Sequence, residues 1–228
     1  MHMEDKDLIK AVEDATLDNM FPLLKSALAF GDAAKETQSK RFIQDVVVEI
    51  NAKLWRLEQR VDKEYMKTED FANFLHKMLL KAALDLRKEK KNLFANVIVN
   101  ATLKEFADVN DRWKYLYGET IDKIDVELFR FLLNVKARCI TKGKELEYGW
   151  TDKEPELLAM GIDQTTFRMN ADYLMSTGLM TRIHQMRYDK AQSSITPQDE
   201  YYVTEFGTGF IGFVRERDDV ELAEVEEI

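Results

Sequence analysis

Residues 204–212 read TEFGTGFIG, and Gly207, Gly209 and Gly212 make a literal G-x-G-x-x-G. Two folds compete for this string. A dinucleotide-binding loop joins a strand to a helix inside a βαβ unit of about 30 residues, with an acid about 20 positions further on for the ribose. Only 16 residues follow Gly212, most of them an acidic tail, so no second parallel strand fits. The nucleotide reading fails on context, and no cofactor is expected. Gly207 and Gly209 are instead expected as turn residues between a strand and a last apolar segment of Phe210, Ile211, Phe213 and Val214.

Working backwards, Glu200 to Thr204 reads as a returning strand, Asp189 to Gln198 as a polar loop with Pro197, and Leu179 to Arg187 as the strand before it. Asp163 caps a helix whose inward positions are Phe167, Ala171, Leu174 and Met175, and Gly178 ends it. Glu154 to Met160 fits a short helix with Pro155 early. Asp125 opens an earlier one that buries Leu128, Phe129, Phe131 and Leu132. Three helices followed by a two-stranded hairpin is the order of a winged helix-turn-helix. The string NADYLMSTGLM (170–180) resembles that superfamily's end of the third helix, L-x-x-x-G-L-apolar. YVTEFGTGF (202–210) resembles its second wing strand, apolar-T-x-x-G. The resemblance covers residues 125–214 and implies a winged helix there.

The bulk numbers suit a soluble helical protein. The 228 residues are 45% apolar and 33% charged, with only 9 Gly and 3 Pro to interrupt regular elements. Cys139 is the single cysteine, which excludes an internal disulfide and suits a reducing cytoplasm. The charged start, Met1 to Lys10, has no signal-peptide core, and Phe21 to Phe30 is too short and too interrupted to span a bilayer. The net charge is −9, but residues 215–228 hold two bases against seven acids, a balance of −5, leaving −4 on the other 214 residues. That tail is expected to be solvated, and the body is close to neutral.

The N-terminal part reads as consecutive helices. Pro22 starts one over Leu23, Leu24, Ala27 and Leu28. Ile43, Val47, Ile50, Leu54, Leu57 and Val61 then step by fours and threes over nearly three heptads. This stripe is either the seam of an intramolecular bundle, the favoured reading, or an oligomer seam. Thr68 with Glu69 and Asp70 starts a helix that buries Phe71, Phe74, Leu75, Met78, Leu79 and Ala82. Another from about Asn92 buries Leu93, Phe94, Val97, Ile98, Leu103 and Phe106. The cations Lys81, Arg87, Lys88, Lys90 and Lys91 between them are read as a solvated helix junction in preference to a phosphate patch. In RWKYLY (112–117), Trp113, Leu116 and Tyr117 share a helical face with Ile121, so core packing is preferred to single-strand stacking. The expected architecture is mainly α: a helical bundle with a long helix over 1–124, a winged helix over 125–214, and an acidic flexible tail over 215–228.

Catalytic chemistry is not indicated. No H-E-x-x-H, G-x-S-x-G or P-loop occurs. His2, His76 and His184 lie too far apart for metal-ligand spacing, and no metal site is expected. Cys139 sits beside Ile140 on an apolar stretch, where an inert thiol is the usual outcome, and His76 is expected as a partly buried, hydrogen-bonded imidazole. The chain is read as a non-enzyme with no small-molecule substrate. Candidate contacts to nucleic acid or a protein partner are Gln164, Thr165, Arg168 and Asn170 on the third helix, and Arg182, His184, Arg187 and Lys190 on the wing. Asp163 and Asp172 offset Arg168, and three or four cations are few for counterion release. Docking of protein, or self-association, is therefore preferred. A transcriptional regulator that dimerises through Ile43 to Val61 and binds DNA weakly is the alternative.

The whole layout resembles the Abi-alpha type of bacterial phage-resistance protein. The resemblance lies in the helical start, in Phe71 to Leu116 with the centre RKEKKNLFAN (87–96), in Ile121 to Leu132, and in the wing-like end with Thr204-x-x-Gly207. It implies a cytoplasmic bacterial or phage protein in defence or its regulation, with no catalytic residue to carry over.

Overall fold

The computed structural model describes residues 37–85, 87–141, 161–189 and 194–217. The expected helices at Leu23–Leu28 and Glu154–Met160 lie outside these residues, as do Lys190 and the tail from Asp218. Among the described residues the chain is mainly helical, with seven α-helices and one two-stranded antiparallel sheet. They fall into two compact units, residues 37–122 with 213–217, and residues 123–212.

The first unit is built from α1 (Thr37–Arg56), α2 (Glu69–Leu84), α3 (Lys91–Ala101) and α4 (Asp111–Lys123), the last residue of α4 belonging to the second unit. Thr68 caps α2 by accepting from the Phe71 N–H at 3.2 Å, with Glu69 and Asp70 in the first turn. The whole stripe Ile43, Val47, Ile50, Leu54, Leu57 and Val61 is buried by the chain itself. Its spacing outlasts its helix: α1 stops at Arg56, and Val61 instead makes an isolated antiparallel bridge with Leu103. Every residue from Leu93 to Ala101 is buried, so α3 is the central helix, apolar on all sides apart from Asn96 and Asn100.

Three expectations are corrected in this unit. Leu103 and Phe106 lie beyond the end of α3, in the bridge and a 3-10 turn. Trp113 and Leu116 are exposed, because the buried face of α4 runs through Lys114, Tyr117, Gly118 and Ile121. His76 is exposed on α2 rather than partly buried.

The second unit contains α5 (Val126–Thr141), α6 (Gln164–Ser176), β1 (Met180–Asp189), β2 (Ser194–Val203) and α7 (Glu205–Val214) as far as Gly212. Asp125 and Asp163 start α5 and α6 by accepting the Leu128 and Thr166 N–H groups at 2.7 and 2.8 Å. Phe131 meets Phe167 edge-on at 5.2 Å, Phe167 meets Tyr201 at 5.1 Å, and Phe129 meets Phe210 at 6.0 Å. Each such ring contributes about 1.5–3 kcal/mol by burial. Phe129, Phe131 and Leu132 are buried as expected, while Leu128 is half-buried.

The hairpin arms are longer than the sequence suggested. Met180 pairs with Val203 and the register runs to Asp189 opposite Ser194, so most of the expected polar loop is strand. Ladder hydrogen bonds need only main chain, and an arm of polar residues can extend past the core. Gly207 and Gly209 are likewise not turn residues, since both lie within α7.

Candidate functional site

The T-x-x-G and G-L strings turn out to be two halves of one joint. Thr177 caps the C-terminus of α6, and Gly178 follows in the left-handed region at φ 79. Its N–H donates to Met175 O at 3.0 Å, and the Leu179 N–H donates to Leu174 O at 3.0 Å, the paired bonds of a Schellman ending. This turns the Gly178 and Leu179 carbonyls towards Thr204. The Thr204 N–H donates to Leu179 O at 3.0 Å, and its hydroxyl donates to Gly178 O at 2.7 Å. The same hydroxyl oxygen accepts from the Gly207 N–H at 2.9 Å and so caps α7. A Cβ on Gly207 would stand 2.2 Å from Leu179 O, so glycine is there for close approach of backbones, not to cradle a phosphate.

With α6 fixed, its two faces are assigned. Phe167, Ala171 and Leu174 point inwards; Met175 is half-buried. Gln164, Thr165 and Arg168 are exposed, and Asn170 is half-buried. The exposed face also carries Met169, 67% exposed, and Tyr173, 42% exposed, one helical turn apart. The Tyr173 hydroxyl donates to Lys123 O, which leaves its ring edge outside. Neither is among the contacts expected from the sequence, which on this helix were the polar and cationic Gln164, Thr165, Arg168 and Asn170.

On the hairpin, Arg182, His184 and Met186 follow one another on one face of β1, opposite Tyr201, Asp199 and Pro197. The Asp199 carboxylate lies 3.8 Å from the Arg182 guanidinium and hydrogen-bonds His184 Nδ1. A hydrogen bond with Tyr201, reinforced by Asp199 and Asp172, holds Arg182 further towards its charged form. A phosphate approaching Arg182 therefore meets the Asp199 carboxylate beside it. Arg187 lies on β1, but its side chain, like all of Lys190, is outside the described residues. Asp199 was missed because its place opposite His184 follows only from the true register. Ile183 and Met186 add further apolar surface, at 47% and 72% exposed.

The two basic strings of the first unit are largely consumed by structure. Lys90 is fully buried, not solvated: its ammonium donates to Ile121 O at 3.0 Å and Asp122 O at 2.9 Å and pairs with Asp85 at 2.8 Å. All three of its N–H bonds are used. Arg87 binds the same carboxylate through two bonds of 2.6 Å. Burial alone would raise Asp85, but Arg87 and Lys90 outweigh it and hold its pKa at about 2. Lys81 pairs with Glu119 and Asp122, each at 3.1 Å. In RWKYLY, Lys114 is buried 3.8 Å over the Tyr65 ring and 3.6 Å from Asp111, which also accepts the Tyr65 hydroxyl at 2.8 Å. Burial pushes the Lys114 ammonium below the ordinary lysine range and the Tyr65 phenol above the tyrosine range.

Among the described residues no cluster of His, Cys, Asp and Glu could hold a metal, and no helix is long and apolar enough to cross a membrane. Cys139 lies on α5, its side chain outside those described. Comparison with protein-family models, with curated proteins and with solved structures finds no match to this chain.

Proposed function

We propose that residues 125–214 form a winged helix used to dock protein, in a non-enzymatic cytoplasmic interaction protein whose N-terminal helices form a bundle. One observation carries the reading. The third helix exposes Met169 and Tyr173 where a DNA reader would need cations and polar groups reaching base edges. Exposed methionine and tyrosine favour protein surfaces: both are enriched at interfaces, and tyrosine buries a large area at small ordering cost. The wing supports the same reading, because Asp199 sits between Arg182 and His184. The bacterial or phage defence setting comes from the Abi-alpha resemblance and is part of this proposal.

The DNA-reading alternative keeps one favourable observation, the exposure of Gln164, Thr165 and Arg168 at the start of α6. Titration of a mixed-sequence duplex at physiological salt separates the two. Docking predicts only weak, unselective binding by the native chain, a gain in non-specific affinity for Met169→Lys, and little change for Arg168→Ala. A nanomolar, sequence-selective complex lost on Arg168→Ala would remove the docking reading.

A further inference from the structure

We infer that the groove of the first unit holding Phe213–Arg217 is a peptide-binding site, and that a second copy of the chain can fill it with its own Phe213–Arg217. The groove treats this segment as a ligand. Asn96 Nδ2 donates to Val214 O at 3.0 Å, and Asn100 Nδ2 donates to Phe213 O at 2.7 Å and Arg215 O at 2.9 Å. Both asparagines are buried on the central helix, one turn apart, so they read main chain much as a partner strand would. The Phe213 ring packs 5.2 Å from Phe106 and 5.1 Å from Tyr117. Lys53 and Arg56 hold the Glu216 carboxylate, Glu105 lies 3.4 Å from the Arg217 guanidinium, and that guanidinium lies 5.4 Å from the Phe106 ring centre. One aromatic, three carbonyls, one acid and one base are thus read in five residues.

The occupant is a second copy because the segment is joined to its groove only through another unit. Residues 123–212 intervene in sequence, so the in-chain segment competes with a foreign one through its effective concentration. The last residue before the segment, Gly212, has open space where a Cβ would be, so packing does not require glycine there. Glycine weakens a helix interior, and α7 is therefore weak where the segment begins. Exchange preserves every contact above, since donor and acceptor chains are identical.

The native chain supplies the test. Unlabelled and 15N-labelled protein are mixed, incubated, and treated with a carbodiimide, which joins a lysine to a carboxylate in direct contact. Lys53–Glu216 products are then sorted by mass. Lys63–Glu58, an exposed pair at 2.9 Å, reports collisions between chains. Exchange predicts Lys53–Glu216 products that join a light to a heavy chain and rise in proportion as protein is raised from about 50 µM to 1 mM, while Lys63–Glu58 products stay unmixed. The inference is overturned if mixed products at Lys53–Glu216 are no more frequent than at Lys63–Glu58, or if that crosslink does not form.

Discussion

Gly207 and Leu179 touch backbone to backbone: a Cβ on the glycine would lie 2.2 Å from the leucine carbonyl oxygen and 2.8 Å from a Val203 methyl. The carbonyl cannot retreat, because it accepts the Thr204 N–H at 3.0 Å. Gly207→Ala should therefore destabilise the second unit by about 1–3 kcal/mol, although alanine is the better helix former. Thr204→Val, which keeps shape and loses the cap, should cost about 1 kcal/mol. Thermal melts followed by near-ultraviolet absorption of the Tyr201 and Tyr202 environment would show both. An unchanged midpoint for Gly207→Ala would mean the two backbones are not in contact.

Lys90→Met should be far more damaging than its position in a charged run suggests. It leaves Asp85 with Arg87 alone and strips the Ile121 and Asp122 carbonyls of their donor. Loss of one partner of a buried pair costs about 3–5 kcal/mol. Lys88→Met, at an exposed position two residues away, should cost under about 0.5 kcal/mol. Equal midpoints in urea for the two variants would contradict the buried arrangement.

The same pair sets an acid limit. Asp85 has a folded pKa of about 2 against 3.8 unperturbed, so its contribution is complete above about pH 4 and is lost as pH falls through 2. The shift corresponds to about 2 kcal/mol. Native protein should lose that much more stability than Asp85→Asn between pH 5 and pH 2, measured by urea titration at each pH. Parallel curves for the two proteins would show that the carboxylate is not held in its charged form.

Asn100→Leu, close in volume, should cost about 1–3 kcal/mol by leaving the Phe213 and Arg215 carbonyls without their donor. Hydrogen exchange should locate the loss in residues 213–217 and in α3. A variant as stable as the native chain would mean that the two bonds do not form in solution.

Binding of a mixed-sequence duplex should be weak, with a salt slope of magnitude at most about 3, since each phosphate neutralised adds about 0.9. Asp199→Asn should strengthen it by freeing Arg182 and His184 from their shared acid. Fluorescence anisotropy across a salt series measures both. A slope near 6 or more would require a basic surface larger than the hairpin provides.

Features that depend on neighbours in sequence were legible. Thr68, Asp163 and Gly178 act on residues within one turn: the first two cap their helices, and Gly178 ends α6 in the expected left-handed conformation just after its cap. The stripe from Ile43 to Val61 was legible as burial but not as one helix, because a 4-3 rhythm does not say where the helix stops. What escaped depends on distant partners. A glycine in α7 makes sense only beside the Leu179 carbonyl, and a buried lysine only beside Asp85 and the end of α4. The charge of the hairpin could not be judged before the register placed Asp199 across from His184.

Synthesis from N- to C-terminus gives the two units different histories. Residues 123–212 are contiguous and can close as soon as they clear the ribosome. The first unit is translated almost entirely beforehand, yet its Asn96 and Asn100 amides find their acceptors only when residues 213–215 emerge. For the time needed to make about 100 residues, some 5–20 s, those two amides and the Phe106–Tyr117 slot wait without the chain that completes them. A ribosome stalled inside the hairpin would therefore hold a second unit made only in part, and an older unit that is still one segment short.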